Sequence, residues 1–446
     1  MDNGKKVEGV EGKLSTPANP ATNCDRIENR NTSALPSLGF REFHKFITIL
    51  ELDSKIVNLS MIYRTAIKEL LNLAGQYKAV AVIGPRQSGK TTLVRASFPD
   101  KPYASLENLD TRAFANEDPR GFLASYPKGA ILDEVQRVPA LFSYLQQVLD
   151  EVNETGFFIL TGSNNFLLQE NIAQSLAGRI AHLRLLPLSL EELKPTETQQ
   201  PEYFMFKGMY PSLYEREMEV HKWYTNYIQT YIEKDIRQIK NIADLSSFEL
   251  FVRLCAGRVG QLLNVNNLAI EAGIDNKTVN SWLGLLESSF IVFRLKPHHK
   301  NFNKRLVKMS KLYFCDTGLA LALLGVNLQE QLHQHPLRGA IFENFMITEI
   351  LKQRYNRGLS NNLYFWRDNS GHEIDLLMEE VNQLHPIEIK SGKTITADYF
   401  KSLIFWQKLS GENHGTVLYA GDQLQKRSDG LQVLPWRSVG EMVERG

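Results

Sequence analysis

Ala79-Val80-Ala81-Val82-Ile83-Gly84-Pro85-Arg86-Gln87-Ser88-Gly89-Lys90-Thr91-Thr92 is the stretch on which the reading of this chain turns. Five consecutive apolar residues form a strand buried on both faces, as in a parallel α/β sheet. The next eight fit G-x-x-x-x-G-K-[ST] without a mismatch, and Thr92 to Ser97 opens a helix that Pro99 stops. Glycines let backbone amides wrap a phosphate, and a helix N-terminus adds partial positive charge there. The candidate nucleotide-binding residues are therefore Gly84, Pro85, Arg86, Gln87, Ser88, Gly89, Lys90, Thr91 and Thr92. Lys90 is the residue to reach the β and γ phosphates, and the Thr91 hydroxyl is a ligand for Mg²⁺. ATP and Mg²⁺ are the ligands this pattern implies.

Outward from the loop, further buried strands are expected at 130–132, 157–160 and 182–186. Ala130-Ile131-Leu132 delivers Asp133, which can hold the Mg²⁺ water shell, and Glu134, which can polarise an attacking water. The strand at 157–161 ends in Thr161-Gly162-Ser163-Asn164-Asn165. Leu176-Ala177-Gly178-Arg179 follows.

"VIGPRQSGKTTL", "ILDEVQRVP", "LTGSNNFLL" and "LAGRI", in that order, resemble the AAA-type ATPases of bacteria and archaea that carry a C-terminal domain of unknown function. The resemblance runs from about Met61 almost to the C-terminus. It implies an AAA+ core with strand order 5-1-4-3-2. A polar sensor residue would lie between the two acidic and phosphate sites, for which Ser163 and Asn164 both qualify. It also implies an arginine finger at Arg179, acting on a neighbouring copy's nucleotide; the plainer alternative is a solvent-exposed or sheet-packing arginine.

Lys and Arg number 51 against 50 for Asp and Glu, so net charge of +1 points to no polyanionic partner. The composition, 43% hydrophobic and 23% charged, excludes a collagen or a wholly disordered polymer. The longest near-apolar run, 318–326, is too short to cross a membrane, and no secretory signal is read at the N-terminus. Cys24, Cys255 and Cys315 lie too far apart for a disulfide framework. The expectation is a cytoplasmic protein without a membrane segment. Residues 1–40 hold only twelve hydrophobic residues and are expected to be disordered. The division expected is an extension at 1–60, an ATPase core at 61–195, a helical lid at 196–247, a winged-helix-like domain at 248–325 and an α/β nuclease-like domain at 326–446.

In the middle section, Leu262 to Ala272 and Lys277 to Glu287 read as two helices about a Gly273-Ile274-Asp275 turn. A strand over Phe290 to Leu295 would be the wing. Between Arg253 and Lys311 stand ten basic residues (253, 258, 277, 294, 296, 300, 304, 305, 308, 311) against three acids (271, 275, 287). Such a patch can neutralise the phosphates of double-stranded DNA without reading sequence; the plainer alternative is a packing module between two domains with a solvated basic face.

The last section reads helix, strand, strand, helix, strand. Glu343 lies on an amphipathic helix. Asp375 lies on a strand, and Pro386-Ile387-Glu388-Ile389-Lys390 puts Glu388 and Lys390 on one face of the next. Asp375, twelve residues, then Glu-x-Lys resembles the active site of PD-(D/E)xK nucleases. That resemblance implies a metal held by Asp375, Glu388 and the Ile389 carbonyl, Glu343 as the preceding helical acid, and Lys390 as the group acting on water. The plainer alternative is a Glu388–Lys390 ion pair on a solvated edge. His372 reads as a lone surface histidine.

Overall fold

The computed structural model describes residues 62–163, 176–236, 242, 244–300, 306–381 and 383–444. They fall in one compact unit. The expected disorder of the N-terminal segment, together with Cys24, Asn164, Lys304 and Arg305, lies outside the described residues.

The first layer begins with helix α1 (Ile67–Gln76), then β1 (Ala79–Ile83), α2 (Lys90–Ser97), β2 (Tyr103–Ser105), α3 (Leu109–Glu117), α4 (Pro119–Ala124) and β3 (Ala130–Asp133). It continues with α5 (Leu141–Glu151), β4 (Phe158–Gly162) and β5 (Ile180–Arg184). All five strands are parallel, in the order β2-β3-β4-β1-β5. This is the 5-1-4-3-2 order implied by the resemblance. Side chains alternate along β1, so Ala79, Ala81 and Ile83 enter one core while Val80 and Val82 enter another, against Leu70 of α1 and Leu93 of α2. β5 begins two residues earlier than the apolar run suggested, because Ala79 pairs with Ile180.

A short capping-box helix, α6 (Leu190–Leu193), ends at Lys194, and Pro201 starts α7 (Pro201–Lys207). α8 (Ser212–Glu215) and α9 (Val220–Tyr227) follow, and α9 continues as a π-helical stretch, Ile228–Ile236. The helical section expected at 196–247 is divided at Gly208 and Pro211. Gly208 has φ +68°, and a Cβ there would lie 1.7 Å from the Tyr224 hydroxyl and 2.6 Å from Asp316 Oδ1. Buried Asp316 accepts from the Met209 N–H (2.8 Å), the Tyr224 hydroxyl (2.6 Å) and the Leu319 N–H (2.9 Å). Gly208→Ala should therefore combine backbone strain with overpacking and cost about 3 kcal/mol, read as a lower urea midpoint at unchanged m.

α10 (Leu245–Ala256), α11 (Val265–Ala272) and α12 (Asn276–Ser288) form the middle helices. Asn264 and Asp275 cap α11 and α12, and Gly273 takes the left-handed conformation between them. β6 (Val292–Pro297) pairs antiparallel with β7 (Lys311–Phe314). β6 also pairs parallel with β8 (Leu363–Arg367) at Lys296↔Tyr364 and Pro297↔Phe365. Between them run α13 (Thr317–Leu323), α14 (Gln329–His333) and α15 (Arg338–Asn356).

β9 (Glu373–Glu380), β10 (Gln383–Lys390), α16 (Lys401–Ser410), β11 (Gly415–Tyr419), β12 (Gln425–Lys426), β13 (Leu431–Pro435) and α17 (Val439–Glu444) complete the chain. One eight-stranded sheet results, in the order β12-β13-β11-β10-β9-β8-β6-β7. The expected boundary between 325 and 326 therefore has strands of a single sheet on both sides of it. The simpler helix–strand–strand–helix–strand reading is corrected by β8, β12, β13 and α17. Pairing of β6 with a strand almost seventy residues later has no local signature.

Part of the basic segment is spent on internal pairs. Arg294 is bonded by both Nε (2.7 Å) and Nη2 (2.6 Å) to Glu287, Arg258 pairs with Glu271, and Lys311 is only 3% exposed. Three of the ten positive charges are thus paired internally.

Candidate functional site

The phosphate loop leaves the C-terminal end of β1, and α2 starts at Lys90. Gly84 is required by close approach, since a Cβ there would lie 2.0 Å from the Leu185 carbonyl oxygen. Gly89 caps α2 with φ +89°. Lys90 is buried and donates to the carbonyl oxygens of Gly84 (3.1 Å) and Pro85 (2.8 Å). Burial lowers its pKa, against the attraction of Glu134 and Asp133. The Ser88 hydroxyl is buried without a hydrogen-bond partner.

At the end of β3, the Asp133 carboxylate accepts from Thr91 Oγ1 (2.9 Å), from the Tyr103 hydroxyl (2.7 Å) and from the Thr161 hydroxyl. Burial and the hydrogen bond to Asp133 push the Tyr103 phenol up to about 12. Glu134 adopts the left-handed conformation at φ 56°, uncommon for a residue with a side chain and concentrated at functional sites. Its backbone N–H donates to Thr161 Oγ1 (3.2 Å), and its carboxylate accepts from Ser163 Oγ (2.8 Å) and from Gln136. Ser163, one of the two sensor residues left open by the sequence, therefore touches Glu134.

A cleft of about 780 Å³ joins these groups. Arg86, Gln87, Gly89, Lys90, Thr91, Thr92, Asp133 and Glu134 form one wall, and Ile62, Tyr63, Ile67, Pro211, Met218 and Trp223 contribute apolar surface. Ser88 and the cradle at Gly84, together with the Thr91–Asp133 pair, suit a magnesium–nucleotide triphosphate. Arg179 is not in this cleft. Its carbonyl accepts from the Ala79 N–H at the opposite end of β1, and its guanidinium pairs bidentately with Asp150, Nη2 to Oδ2 at 3.1 Å.

A second constellation lies in the larger sheet. The β9/β10 ladder ends at Leu376↔Ile387, and the acids Asp375 and Glu388 sit at the opening. Lys390 Nζ lies 3.3 Å from Asp375 Oδ2 and also bonds Glu388 Oε2. The Ile389 N–H donates to Asp375 Oδ2 (2.8 Å). Glu388 is 2% exposed, so the alternative of a solvated edge pair is replaced by a buried one. Burial, then the charge of Asp375, raises the Glu388 carboxyl; Asp375 and Glu388 in turn raise the Lys390 ammonium against its own burial.

Sequence reasoning missed the partners of Glu343. Lys311 Nζ lies 3.0 Å from Glu343 Oε1 and 2.5 Å from Glu373 Oε1, and the Tyr313 hydroxyl also donates to Glu343. Arg367 Nη1 closes the other side of Glu373 at 2.8 Å. Burial opposes charge on Lys311, but Glu343, Glu373 and Asp375 outweigh it and raise its pKa. Alternation along Lys311-Leu312-Tyr313 was the available signal, since it puts a lysine and a tyrosine on one face of a strand. Among the described residues, no group of three or more His, Cys, Asp or Glu is arranged to hold a metal ion. Lysines stand between the carboxylates instead. His372 donates or accepts at Asp368 Oδ2 (3.0 Å) and stacks on Phe405, so it is not solitary.

Residues 76–194 match the family described as "AAA domain". The matched stretch holds the phosphate loop, Asp133 and Glu134, so the site lies within the part of the chain that is similar to AAA domains. Residues 198–330 and 338–439 match two families described as domains of unknown function, DUF8612 and DUF4143. The chain is similar to an uncharacterized protein of Mycobacterium tuberculosis, 29% identical over 335 residues that make up 74% of each chain. A Haemophilus influenzae protein, also uncharacterized, is 25% identical over 68% of this chain and 75% of its own. Among solved structures, a Walker-type ATPase of Pyrococcus abyssi overlaps 60% of this chain and 98% of its own, at 14% identity and a TM-score of 0.43. AMPPCP-bound DnaA from Aquifex aeolicus overlaps 50% of this chain and 85% of its own, at 15% identity and a TM-score of 0.27. No helix among the described residues is long and apolar enough to cross a membrane.

Proposed function

We propose that this protein binds ATP with Mg²⁺ in the cleft around Lys90, hydrolyses it, and uses nucleotide state to govern an acidic centre of PD-(D/E)xK type directed at DNA. Lys90 and the loop amides hold the phosphates. Thr91 and Asp133 hold the Mg²⁺, which shields charge on the phosphates when bound. Glu134, fixed by Ser163 and Thr161, takes the proton from the attacking water. Arg179, outside its own cleft and paired with Asp150, would leave that pair to reach a neighbouring copy's nucleotide, in which case the active form is an oligomer. The setting is the cytoplasm.

The observation that carries the second half is the meeting of Asp375, Glu388 and Lys390 at the fork of β9 and β10. The order α15–β8–β9–β10–α16–β11, with β11 parallel to β10, supports the nuclease-like reading. Asp375 and Glu388 would hold a divalent ion once Lys390 swings from them toward a water, while Glu343 stays paired with Lys311 beside them. The α11–α12 pair with Lys277, Lys296 and Lys300 is the reading for DNA contact, through phosphates rather than bases.

Supercoiled plasmid is the test substrate, with Mg²⁺ or Mn²⁺ and with or without ATP. Nicking by the wild type that disappears in Lys390→Ala is the expected result. Plasmid left intact in every condition would favour the alternative, an ATP-gated docking module with an inactive nuclease-like domain. The specific observation on that side is the pair of lysines, Lys311 and Lys390, already neutralising the carboxylates.

A further inference from the structure

The phosphate loop is held from outside its motif. Arg64, in the segment before α1, is 8% exposed. Its guanidinium spends three nitrogens on three separate segments: Nη1 on the Ser88 carbonyl (2.6 Å), Nη2 on the Leu186 carbonyl (2.8 Å) and Nε on Glu192 Oε1 (3.0 Å). The first of these contacts reaches the loop itself. In a planar trans peptide the carbonyl of residue 88 and the N–H of residue 89 point in opposite directions. Arg64 lines the same cleft as the loop, and a donor that fixes the Ser88 oxygen also fixes the direction of the Gly89 N–H, one of the loop amides that can meet a phosphate oxygen. Contact is close, since a Cβ on Gly89 would lie 3.3 Å from Arg64 Nη1.

The guanidinium is itself fixed. The Glu192 side chain has 0% exposure and, beyond Arg64, accepts from the Thr65 N–H (2.8 Å), Thr65 Oγ1 (3.1 Å) and the Ser189 N–H (2.8 Å). Asn356, the last residue of α15, donates to Thr65 Oγ1 (2.8 Å) and lies 3.4 Å from Glu192 Oε1. A buried charge with this many partners has one orientation open to it. Loop, β5 exit and α6 thus meet on a single arginine, and α15 reaches it through Thr65 and Glu192.

We propose that Arg64 is a positioning residue of the phosphate loop: it sets the Ser88–Gly89 peptide plane for phosphate capture, and Glu192 and Asn356 hold it in place. The proposal rests on the reading of the loop as an ATP site. Lysine cannot substitute, because one ammonium lacks the planar fork that serves three acceptors at fixed angles.

The test is titration of a fluorescent ATP analogue with Mg²⁺ into the full chain, as wild type, Arg64→Met, Arg64→Lys, Glu192→Gln and Arg184→Met. Arg184 sends its guanidinium to Tyr355 of α15 (3.2 Å) and controls for loss of that interface. Both Arg64 variants should bind about 10- to 100-fold more weakly, the size expected for a charge-assisted bond, and Glu192→Gln at least about 3-fold more weakly. Arg184→Met should stay within about 2-fold, and kcat at saturating ATP should move less than KM in the Arg64 variants. Should Arg64→Met fail to fold, Arg64→Lys and Glu192→Gln, close in size to the native side chains, decide the matter. Wild-type affinity in folded Arg64→Lys and Glu192→Gln would overturn the proposal, as would equal weakening by Arg184→Met. A wild type that does not bind the analogue would instead remove the ATP reading beneath it.

Discussion

Lys90→Ala should lose nucleotide affinity by about two to three orders of magnitude, while Glu134→Gln keeps affinity within about threefold and hydrolyses about 10²- to 10⁴-fold more slowly. The two residues act at different stages. Lys90 is a buried cation whose present acceptors are the carbonyls of Gly84 and Pro85, so phosphate oxygens exchange one set of acceptors for a better one. Alanine leaves the loop amides but removes the charge. Glu134 has no role in holding phosphates in this arrangement. Its carboxylate is oriented by Ser163 and Gln136, and the amide of glutamine preserves that shape while removing the base. Calorimetry with a non-hydrolysable analogue reads the first effect, and phosphate release at saturating ATP reads the second. Equal affinity of wild type and Lys90→Ala would defeat the assignment of this cleft.

Lys311→Met is the second substitution with a large expected effect, a loss of about 3–5 kcal/mol of stability. Lys311 is the shared counter-charge of Glu343 and Glu373, and neither carboxylate is free to move to water: their side chains are 17% and 21% exposed. Removing the ammonium leaves Glu373 to Arg367 and Glu343 to the Tyr313 hydroxyl, two carboxylates near Asp375 without their shared cation. Urea unfolding measures the loss, with Lys277→Met as the exposed control expected to stay within about 0.5 kcal/mol. Adding Glu343→Gln to Lys311→Met should recover part of the deficit, a coupling that a double-mutant cycle reports. If Lys311 belonged to a solvated basic patch, all of these changes would be near neutral. At the same centre, Asp375→Asn should abolish Mn²⁺ binding in a calorimetric titration while leaving ATP hydrolysis unchanged, since the Walker residues lie on the other sheet.

The nucleotide half of the molecule was legible because its signals are local. An apolar strand, a glycine loop and a helix start are contiguous in sequence, and the acid after β3 is announced by the strand that carries it. Ser163 could be narrowed only to a pair with Asn164, since choosing between adjacent polar residues needs their backbone directions. Arg64 was invisible because its three acceptors lie 24, 122 and 128 residues away. In the C-terminal half, Asp375, Glu388 and Lys390 were visible through alternation along two strands. Glu373 and Lys311 were not, because counting charges in a segment cannot tell a buried counter-ion from a solvated one. The Arg294–Glu287 pair misled the charge count in the same way. Asp275 and Gly273 made the start of α12 and the end of α11 legible, since both are punctuation with a chemical mechanism, whereas the helix expected from Leu262 begins only at Val265 behind its Asn264 cap.

The eight-stranded sheet bears on how the chain can be dissected. On its β6 side, β8 is satisfied by the ladder at Lys296 and Pro297, by the His298 N–H on the Phe365 carbonyl (2.7 Å) and by the Val307 N–H on the Arg367 carbonyl (3.1 Å). A recombinant fragment starting at 326 would strip those partners away and present a bare strand edge beside Trp366 and Phe365. Such an edge recruits any extended chain it meets. Fragments cut there should precipitate or associate, and assays on them would report the wound rather than the protein; a cut placed ahead of α10 keeps the sheet whole.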